Sequence, residues 1–369
     1  MARSDGARDD GSRAWRPVPP GAPVRTAVIG FGTAGQLHHA LQTAASPDYS
    51  LDAIVTTHEE RAALASENYP GAVVISSPHE VWERSGDLDL VIIATPNETH
   101  VPLAMKAVGL GLAVVIDKPI ASASAETPQL FDAAARAGVP LTVFQNRRWD
   151  GDFLTVHEMV RSGRLGDIHE FESRFTWWDP RPESSWKTTT PVRAGGGILF
   201  DLGPHLIDQA LLLFGPVDHW YAELDTRRPG VVSPDDALVL LTHTNGVRSR
   251  LWMSCVKAQA GARFRLSGSM GSFTKHGLDP QEAQAEAGLG PADLSFGVDE
   301  PHAWGRIGVD GATTEVKTVR GDYGEFFRLL AAALRGAGEL PVDPHDSVEV
   351  LELIEQISAA VQPGGASAT

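Results

Sequence analysis

The sequence predicts an α/β protein: an N-terminal Rossmann-type doubly wound parallel sheet, then a C-terminal α+β domain with a large, mostly antiparallel open sheet. Three observations carry this. From Arg25 to about Gln145, short apolar runs such as Leu88-Asp-Leu-Val-Ile-Ile-Ala94 alternate with helical stretches. Near-continuous apolar strands are buried on both faces, as in a parallel sheet covered by helices. The first run passes into Gly30-Phe-Gly32-Thr-Ala-Gly35 and then a helix-like stretch, an order that suits a dinucleotide pyrophosphate. After Asn146 the rhythm turns β-rich, with Thr244-Asn-Gly246 as a hairpin turn.

The elements follow in order. Residues 1–23 are rich in Arg, Asp, Gly, Ser and Pro and lack an apolar core; they read as a disordered tail, not a secretion signal. Residues 24–146 form the dinucleotide-binding domain. Its strands are expected at 25–30, 51–56, 72–76, 89–94, 112–116 and 140–145, and its helices near 36–45, 59–67, 78–84, 98–110 and 124–137. Residues 147–361 form the second domain, for substrate binding and oligomerisation. Helices at 151–162 and 203–214 flank strands at 168–177, 217–224, 237–243, 247–256 and 263–267. Residues 279–321 give no clear assignment. Helices at 322–336 and 344–361 close the chain, the last expected to dock back on the first domain, and 362–369 reads as frayed.

Composition narrows the function. Forty-seven acidic against 31 basic residues give a net charge of −16, which repels phosphate backbones and argues against a nucleic-acid partner. No apolar run approaches the roughly 18 residues of a membrane span. The single cysteine, Cys255, cannot form an internal disulfide and fits a reducing cytoplasm. Its strand-like setting reads as core. In a cytoplasmic protein the sequon Asn97-Glu-Thr99 is a coincidence.

Ligands of open α/β sheets bind beyond the carboxyl ends of the strands. Gly30 permits the tight turn, Gly32 the approach of a phosphate, and Gly35 close helix packing, so the loop from Gly30 through Phe31, Thr33 and Ala34 is the expected phosphate cradle. Three further strand ends carry polar groups: Thr95-Pro-Asn97-Glu-Thr-His100, Asp117-Lys118-Pro119, and Gln145-Asn146-Arg147-Arg148-Trp-Asp150. Lys118 follows an apolar run. A lysine there can hold a hydroxyl and stabilise a developing alkoxide, or be a surface lysine in a loop. Asp201 and His205 are four apart, with Pro204 in what reads as a helix's first turn. The pair suits an oriented acid–base imidazole, or an N-cap beside a buried histidine. His38 and His39 are adjacent and no HExxH or CxxC exists, so no metal is expected. Trp177, Trp178 and Trp186 could line the apolar face of a sugar or fill core. Strand two ends Val55-Thr56-Thr57-His58, with Arg61 nearby and no carboxylate at the ribose position, which favours NADP over NAD. Glu59 and Glu60 are the counter-evidence.

Together the glycine loop, Thr95-Pro-Asn-Glu-Thr-His100, Asp117-Lys-Pro119 and Asp201-Leu-Gly-Pro-His205 resemble the Gfo/Idh/MocA oxidoreductases over roughly 24–361. Asn146-Arg-Arg-Trp-Asp150, Gly268-Ser-Met-Gly-Ser272 and Gly277-Leu-Asp-Pro-Gln281 resemble the branch holding NADP-dependent scyllo-inositol 2-dehydrogenases. That branch usually has His where this chain has Gln145. The resemblance implies Lys118, Asp201 and His205 as catalytic residues. It implies Thr95, Asn97, His100 and Asp117 on the cofactor, and Asn146, Arg147, Trp178 and Trp186 with the catalytic group on a polyol or sugar. It also implies a homo-oligomer joined through the open sheet. The alternatives are a non-catalytic dinucleotide sensor or regulatory protein, and a dehydrogenase of another hydroxylated small molecule.

Overall fold

The computed structural model describes residues 15–181, 186–192, 195–361 and 365–368. They fall into two compact units. The first takes its described residues from 1–146, 282–296 and 323–348, and the second from 147–281, 297–322 and 349–369.

In the first unit the described strands are β1 (Val24–Ile29), β2 (Tyr49–Val55), β3 (Val73–Ile75), β4 (Leu90–Ile93), β5 (Ala113–Asp117) and β6 (Leu141–Phe144), in the order β3-β2-β1-β4-β5-β6. All pair in parallel. Leu90, Val91, Ile92 and Ile93 are fully buried, as a strand covered on both faces must be. The winding reverses at β1, which pairs with both β2 and β4. This is the switch point where such sheets open a crevice. A π-helical stretch, Gly35–Ala40, runs into α1 (Leu41–Ala45). Then come α2 (Glu59–Asn68), α3 (Pro78–Glu83), α4 (His100–Gly109) and α5 (Thr127–Ala137).

The expected tail differs from the structure. Residues 1–14 lie outside the described residues, but 15–23 are ordered. The Trp15 N–H donates to the Ala137 carbonyl, and the Val18 N–H to that of Leu334. Val18 is buried. One apolar side chain and two backbone bonds suffice to fix a proline-rich strip whose own entropy is low.

The second unit begins with α6 (Gly151–Arg161), followed by β7 (Ile168–Thr176), a short α7 (Trp186–Thr189) and α8 (Ile198–Phe214). Strands β8 (Val217–Asp225), β9 (Asp236–His243), β10 (Arg248–Ser254), β11 (Phe264–Gly268) and β12 (Gly271–Lys275) follow. After α9 (Gln281–Glu286) come β13 (Gly305–Val309) and β14 (Ala312–Val316), in the stretch that the sequence left unassigned. With β15 (Gly365–Ala368) the strands join as β14-β13-β12-β11-β7-β10-β9-β8-β15, antiparallel except for β7 with β10. The hairpin at 244–246 is present, with Gly246 at φ +85°.

Helix α8 covers one face of this sheet, against β7, β9 and β10. It starts at Ile198, five residues earlier than expected. Pro204 therefore sits inside the helix and Asp201 is a helical residue, not its cap. Gly197 caps it at φ +89°, where a β-carbon would lie 2.7 Å from the Pro234 carbonyl oxygen.

Helix α10 (Tyr323–Leu334) belongs to the first unit. Phe326 and Phe327 pack on Phe144, with centroids 4.8 and 5.6 Å apart. The final helix α11 (Pro344–Ala360) begins in the same unit, where the His345 ring lies 4.5 Å from that of Phe131 and Ser347 bonds Gln145, and it enters the second unit from Glu349. The expected frayed end is also corrected: Gly365–Ala368 forms β15, antiparallel to β8. It satisfies backbone groups that an edge strand would leave open.

Candidate active site

The glycine loop needs its glycines for three separate reasons. Gly30 has φ +100°, and a β-carbon there would meet the Ala94 carbonyl oxygen at 2.3 Å. A β-carbon on Gly35 would meet the Gly30 carbonyl oxygen at 2.1 Å. A β-carbon on Gly32 would have, among the described residues, just the Arg61 Nη1 within 4 Å, at 3.9 Å, so that side of the loop is open to a ligand. The first helical bond of the following turn runs from the Gln36 N–H to the Gly32 carbonyl, at 2.9 Å. The N–H groups of Thr33, Ala34 and Gly35 precede it, as an anion-binding helix start requires. This cradle fits a dinucleotide pyrophosphate. The Phe31 ring is buried with Ile54 and Ala65, edge-on to Tyr69 at 6.2 Å.

At the end of β2, Thr56 is buried and its hydroxyl accepts from the His58 N–H at 3.3 Å. Thr57, Glu59, Glu60 and Arg61 are exposed. The Arg61 Nη1 stands beside the glycine loop, 3.9 Å from where a β-carbon on Gly32 would lie.

The ends of β4 and β5 are tied together by His100. This imidazole is buried, with Nδ1 2.9 Å from the Pro119 carbonyl oxygen and Nε2 2.8 Å from that of Thr95. Its ring is thus spent on holding two loops in register. The Thr95 and Thr99 hydroxyls bond at 2.6 Å, and Asn97 is half-buried in a 3-10 turn. Asp117 accepts from the backbone N–H of Lys118 at 2.8 Å, and the Lys118–Pro119 peptide is cis. The other Asp117 oxygen faces His39 Nε2 at 3.8 Å. Burial raises the proton affinity of Asp117, yet His39, Lys118 and His100 together hold its carboxyl below the ordinary range. Gln145 is buried and bonds the Ser347 hydroxyl at 3.3 Å.

In the second unit, Asp201 and His205 lie one helical turn apart on α8, and both are buried. Positions i and i+4 share a helix face, so a carboxylate and an imidazole stand together, as acid–base work needs. Asp208 continues the face. Arg148 forks onto it through Nε at 2.9 Å and Nη2 at 2.6 Å. The Gln209 side chain donates to the Arg147 carbonyl at 2.9 Å, so the 3-10 turn Asn146–Trp149 is fixed to α8 twice. Asn146 is buried. Arg147 pairs with Asp150 at 3.2 Å and lies over the Phe175 ring at 4.7 Å.

The tryptophans separate. Trp178 is 55% exposed and lines a cavity of about 470 Å³ with Pro180, Arg227, Pro229 and Lys257; neither Asp201 nor His205 is among its lining residues. Trp186 opens α7, and its side chain lies outside the described residues. Among the described residues no group of three His, Cys, Asp or Glu could hold a metal, and no helix is long and apolar enough to cross a membrane.

Sequence reasoning missed His39 and Asp208. The signal for Asp208 was present, since it follows Asp201 by seven, two helical turns. His39 was weighed only as a metal ligand.

Residues 24–145 match the oxidoreductase family's NAD-binding Rossmann fold, and 153–274 match the GFO/IDH/MocA C-terminal domain. The chain belongs to the Gfo/Idh/MocA oxidoreductase family. An uncharacterized Escherichia coli oxidoreductase, YdgJ, is 35% identical over 90% of this chain and 94% of its own. The Bacillus subtilis scyllo-inositol 2-dehydrogenase (NADP(+)) IolW is 30% identical over 90% and 92%. A Bacillus cereus oxidoreductase structure superposes with a TM-score of 0.82 at 28% identity, covering 94% of this chain and 98% of its own. This Gfo/Idh/MocA protein is therefore an oxidoreductase with a Rossmann NAD-binding domain, and its relatives include an inositol dehydrogenase.

Proposed function

We propose that this oxidoreductase moves a hydride between NADP and a ring hydroxyl, or the matching ketone, of a cyclic polyol or sugar, with scyllo-inositol the first candidate. The observation that carries the reading is the Asp201–His205 pair on one buried face of α8. Bound NADP would supply the hydride acceptor at its nicotinamide. Gly30, Gly32, Thr33, Ala34 and Gly35 would hold its pyrophosphate. Thr56, Thr57 and Arg61 would hold the ribose 2′-phosphate, and Thr95, Asn97 and Asp117 the crevice beyond.

In this reading His205 takes the hydroxyl proton as the carbinol carbon loses its hydride and becomes a carbonyl. Asp201 orients the imidazole and balances its charge. Lys118 stabilises the substrate oxygen as negative charge grows on it, and Asn146 and Arg147 shape the sugar-binding side. The IolW relationship supports NADP and inositol chemistry, and Arg61 beside Gly32 supports the 2′-phosphate.

The protein is also proposed to pair with a second copy through the sheet face opposite α8. There Leu238, Leu240, Trp252 and Tyr221 are half-buried, alternating with fully buried neighbours. Light scattering of the eluting protein tests this; a monomer at micromolar concentration contradicts it.

Turnover tests the main reading. Reduced nicotinamide should appear with NADP and at least one inositol or sugar. Lys118→Ala should lower kcat about a hundred- to a thousandfold, the cost of removing one preorganised stabiliser, while NADP still binds. Unchanged turnover in that variant contradicts the assignment.

A further inference from the structure

The pair Arg148–Asp208 is a fork of two hydrogen bonds, 2.9 and 2.6 Å, with side chains only 10% and 3% exposed. Asp208 stands three residues after His205 on α8, and on a helix such residues are neighbours whose β-carbons lie roughly 5–6 Å apart. A buried carboxylate at that distance would raise the imidazole's affinity for a proton. A guanidinium locked onto the carboxylate cancels most of that field. We infer that Arg148 and Asp208 are positioning residues that hold the proton affinity of His205 at its working value by charge compensation. The inference rests on His205 being the proton acceptor of the proposed reaction.

A surface salt bridge contributes little and tolerates loss, but this pair is buried. Removing one partner takes away one of two opposed charges beside the imidazole. The two single losses therefore act on His205 with opposite sign. Asp208→Asn leaves the Arg148 cation and lowers the pH at which His205 titrates. Arg148→Gln leaves the Asp208 carboxylate and raises it. Purely structural damage has no reason to give opposite signs.

Other charged residues of the second unit stay in place throughout. Asp201 is on α8 itself. Arg147 and Asp150 are paired on the neighbouring turn, and Asp152 of α6 is paired with Arg263 beside β11 at 3.3 Å. All are common to the variants, so the differences isolate the Arg148–Asp208 pair.

The test is an NMR titration of the His205 ring in the full-length protein, assigned by loss of its signal in His205→Gln. The midpoint should move down by about one pH unit in Asp208→Asn and up by a similar amount in Arg148→Gln. The apolar pair Arg148→Met with Asp208→Leu should return it close to the parent value. Equal midpoints in all variants, or shifts of the same sign in the two single variants, overturn the inference. If the single variants do not fold, Arg148→Lys with Asp208→Glu keeps both charges and removes the fork. His205 should then titrate as in the parent chain, with kcat several-fold lower at unchanged KM for NADP. Parental kcat in that variant overturns the positioning role. The ring titration needs no turnover, so a chain inactive on every polyol would remove the proposed reaction and leave the charge coupling measurable.

Discussion

The His39 imidazole faces the Asp117 carboxylate at 3.8 Å, and through it the residue that precedes Lys118 is tied to the helix that follows the glycine loop. The ring is fully buried and packs on Phe144, tilted by 54° at a centroid distance of 4.5 Å. Its position in the π-helical stretch Gly35–Ala40 links the phosphate cradle to the end of β5. π-turns inside helices recur at functional sites.

Replacing His39 by Ala removes the group that helps hold Asp117 ionised. A carboxyl whose folded proton affinity is depressed stabilises the protein above the ordinary carboxylate range and loses that contribution as pH falls through its folded value. His39→Ala should therefore raise the pH at which acid unfolding begins, and cost about 1–3 kcal/mol at neutral pH. Melting curves taken across the acid range check this. An acid transition at the parental pH speaks against the contact.

Gly30→Ala tests the cradle. The new methyl group would lie 2.3 Å from the Ala94 carbonyl at a φ of +100°, and backbone strain of this kind costs about 1–3 kcal/mol before the clash is counted. The expected result is a lower Tm together with loss of NADP binding by calorimetry. Parental affinity would show that the loop does not hold phosphate.

Arg61→Ala should weaken NADP binding about tenfold or more and leave NAD binding nearly unchanged, because only the former presents a 2′-phosphate. Equal losses for both cofactors would place Arg61 away from that phosphate.

Asp279 gives a pH test of the second unit. Burial, with the charge of Asp152 adding to it, pushes its carboxyl up to about 7, although it accepts N–H bonds from Gly151 at 2.7 Å and Gln281 at 2.9 Å. A carboxyl that binds its proton more tightly when folded stabilises the protein fully below the ordinary carboxylate pKa. That contribution is lost as pH rises through about 7. Asp279→Asn should flatten the decline in Tm between about pH 4 and 7, at a cost of about 1–3 kcal/mol for disturbed bonds. An unchanged slope assigns the pH dependence elsewhere.

The first sheet was readable because its strands are buried on both faces, so their apolar runs are continuous and their ends sharp. Lys118, Asp117 and Thr95 were readable for the same reason, as polar residues stand out where such runs stop. Helix α8 was misplaced at its start because Pro204 looked like a first-turn residue. In fact Ile198, Leu199 and Phe200 bury a full turn ahead of it. The hairpin of β13 and β14 mixes glycine, polar and exposed apolar residues, so no apolar run marked it. Strand β15 is the small-residue run Gly-Ala-Ser-Ala, with no apolar pattern to mark it, and the open edge of β8 explains it. Pairs such as Arg148 with Asp208 join residues 60 apart, a proximity that no local pattern encodes.

The central claim is that a carbinol hydride passes from a polyol to the nicotinamide while His205 takes the proton. The most direct measurement uses scyllo-inositol carrying deuterium on its ring carbons, with NADP and the purified protein, and reads the reduced cofactor by mass spectrometry. The account predicts one deuterium in the reduced cofactor, formed by the parent chain and nearly absent with His205→Gln. Reduced cofactor without the label, or labelled cofactor formed equally by His205→Gln, would contradict it.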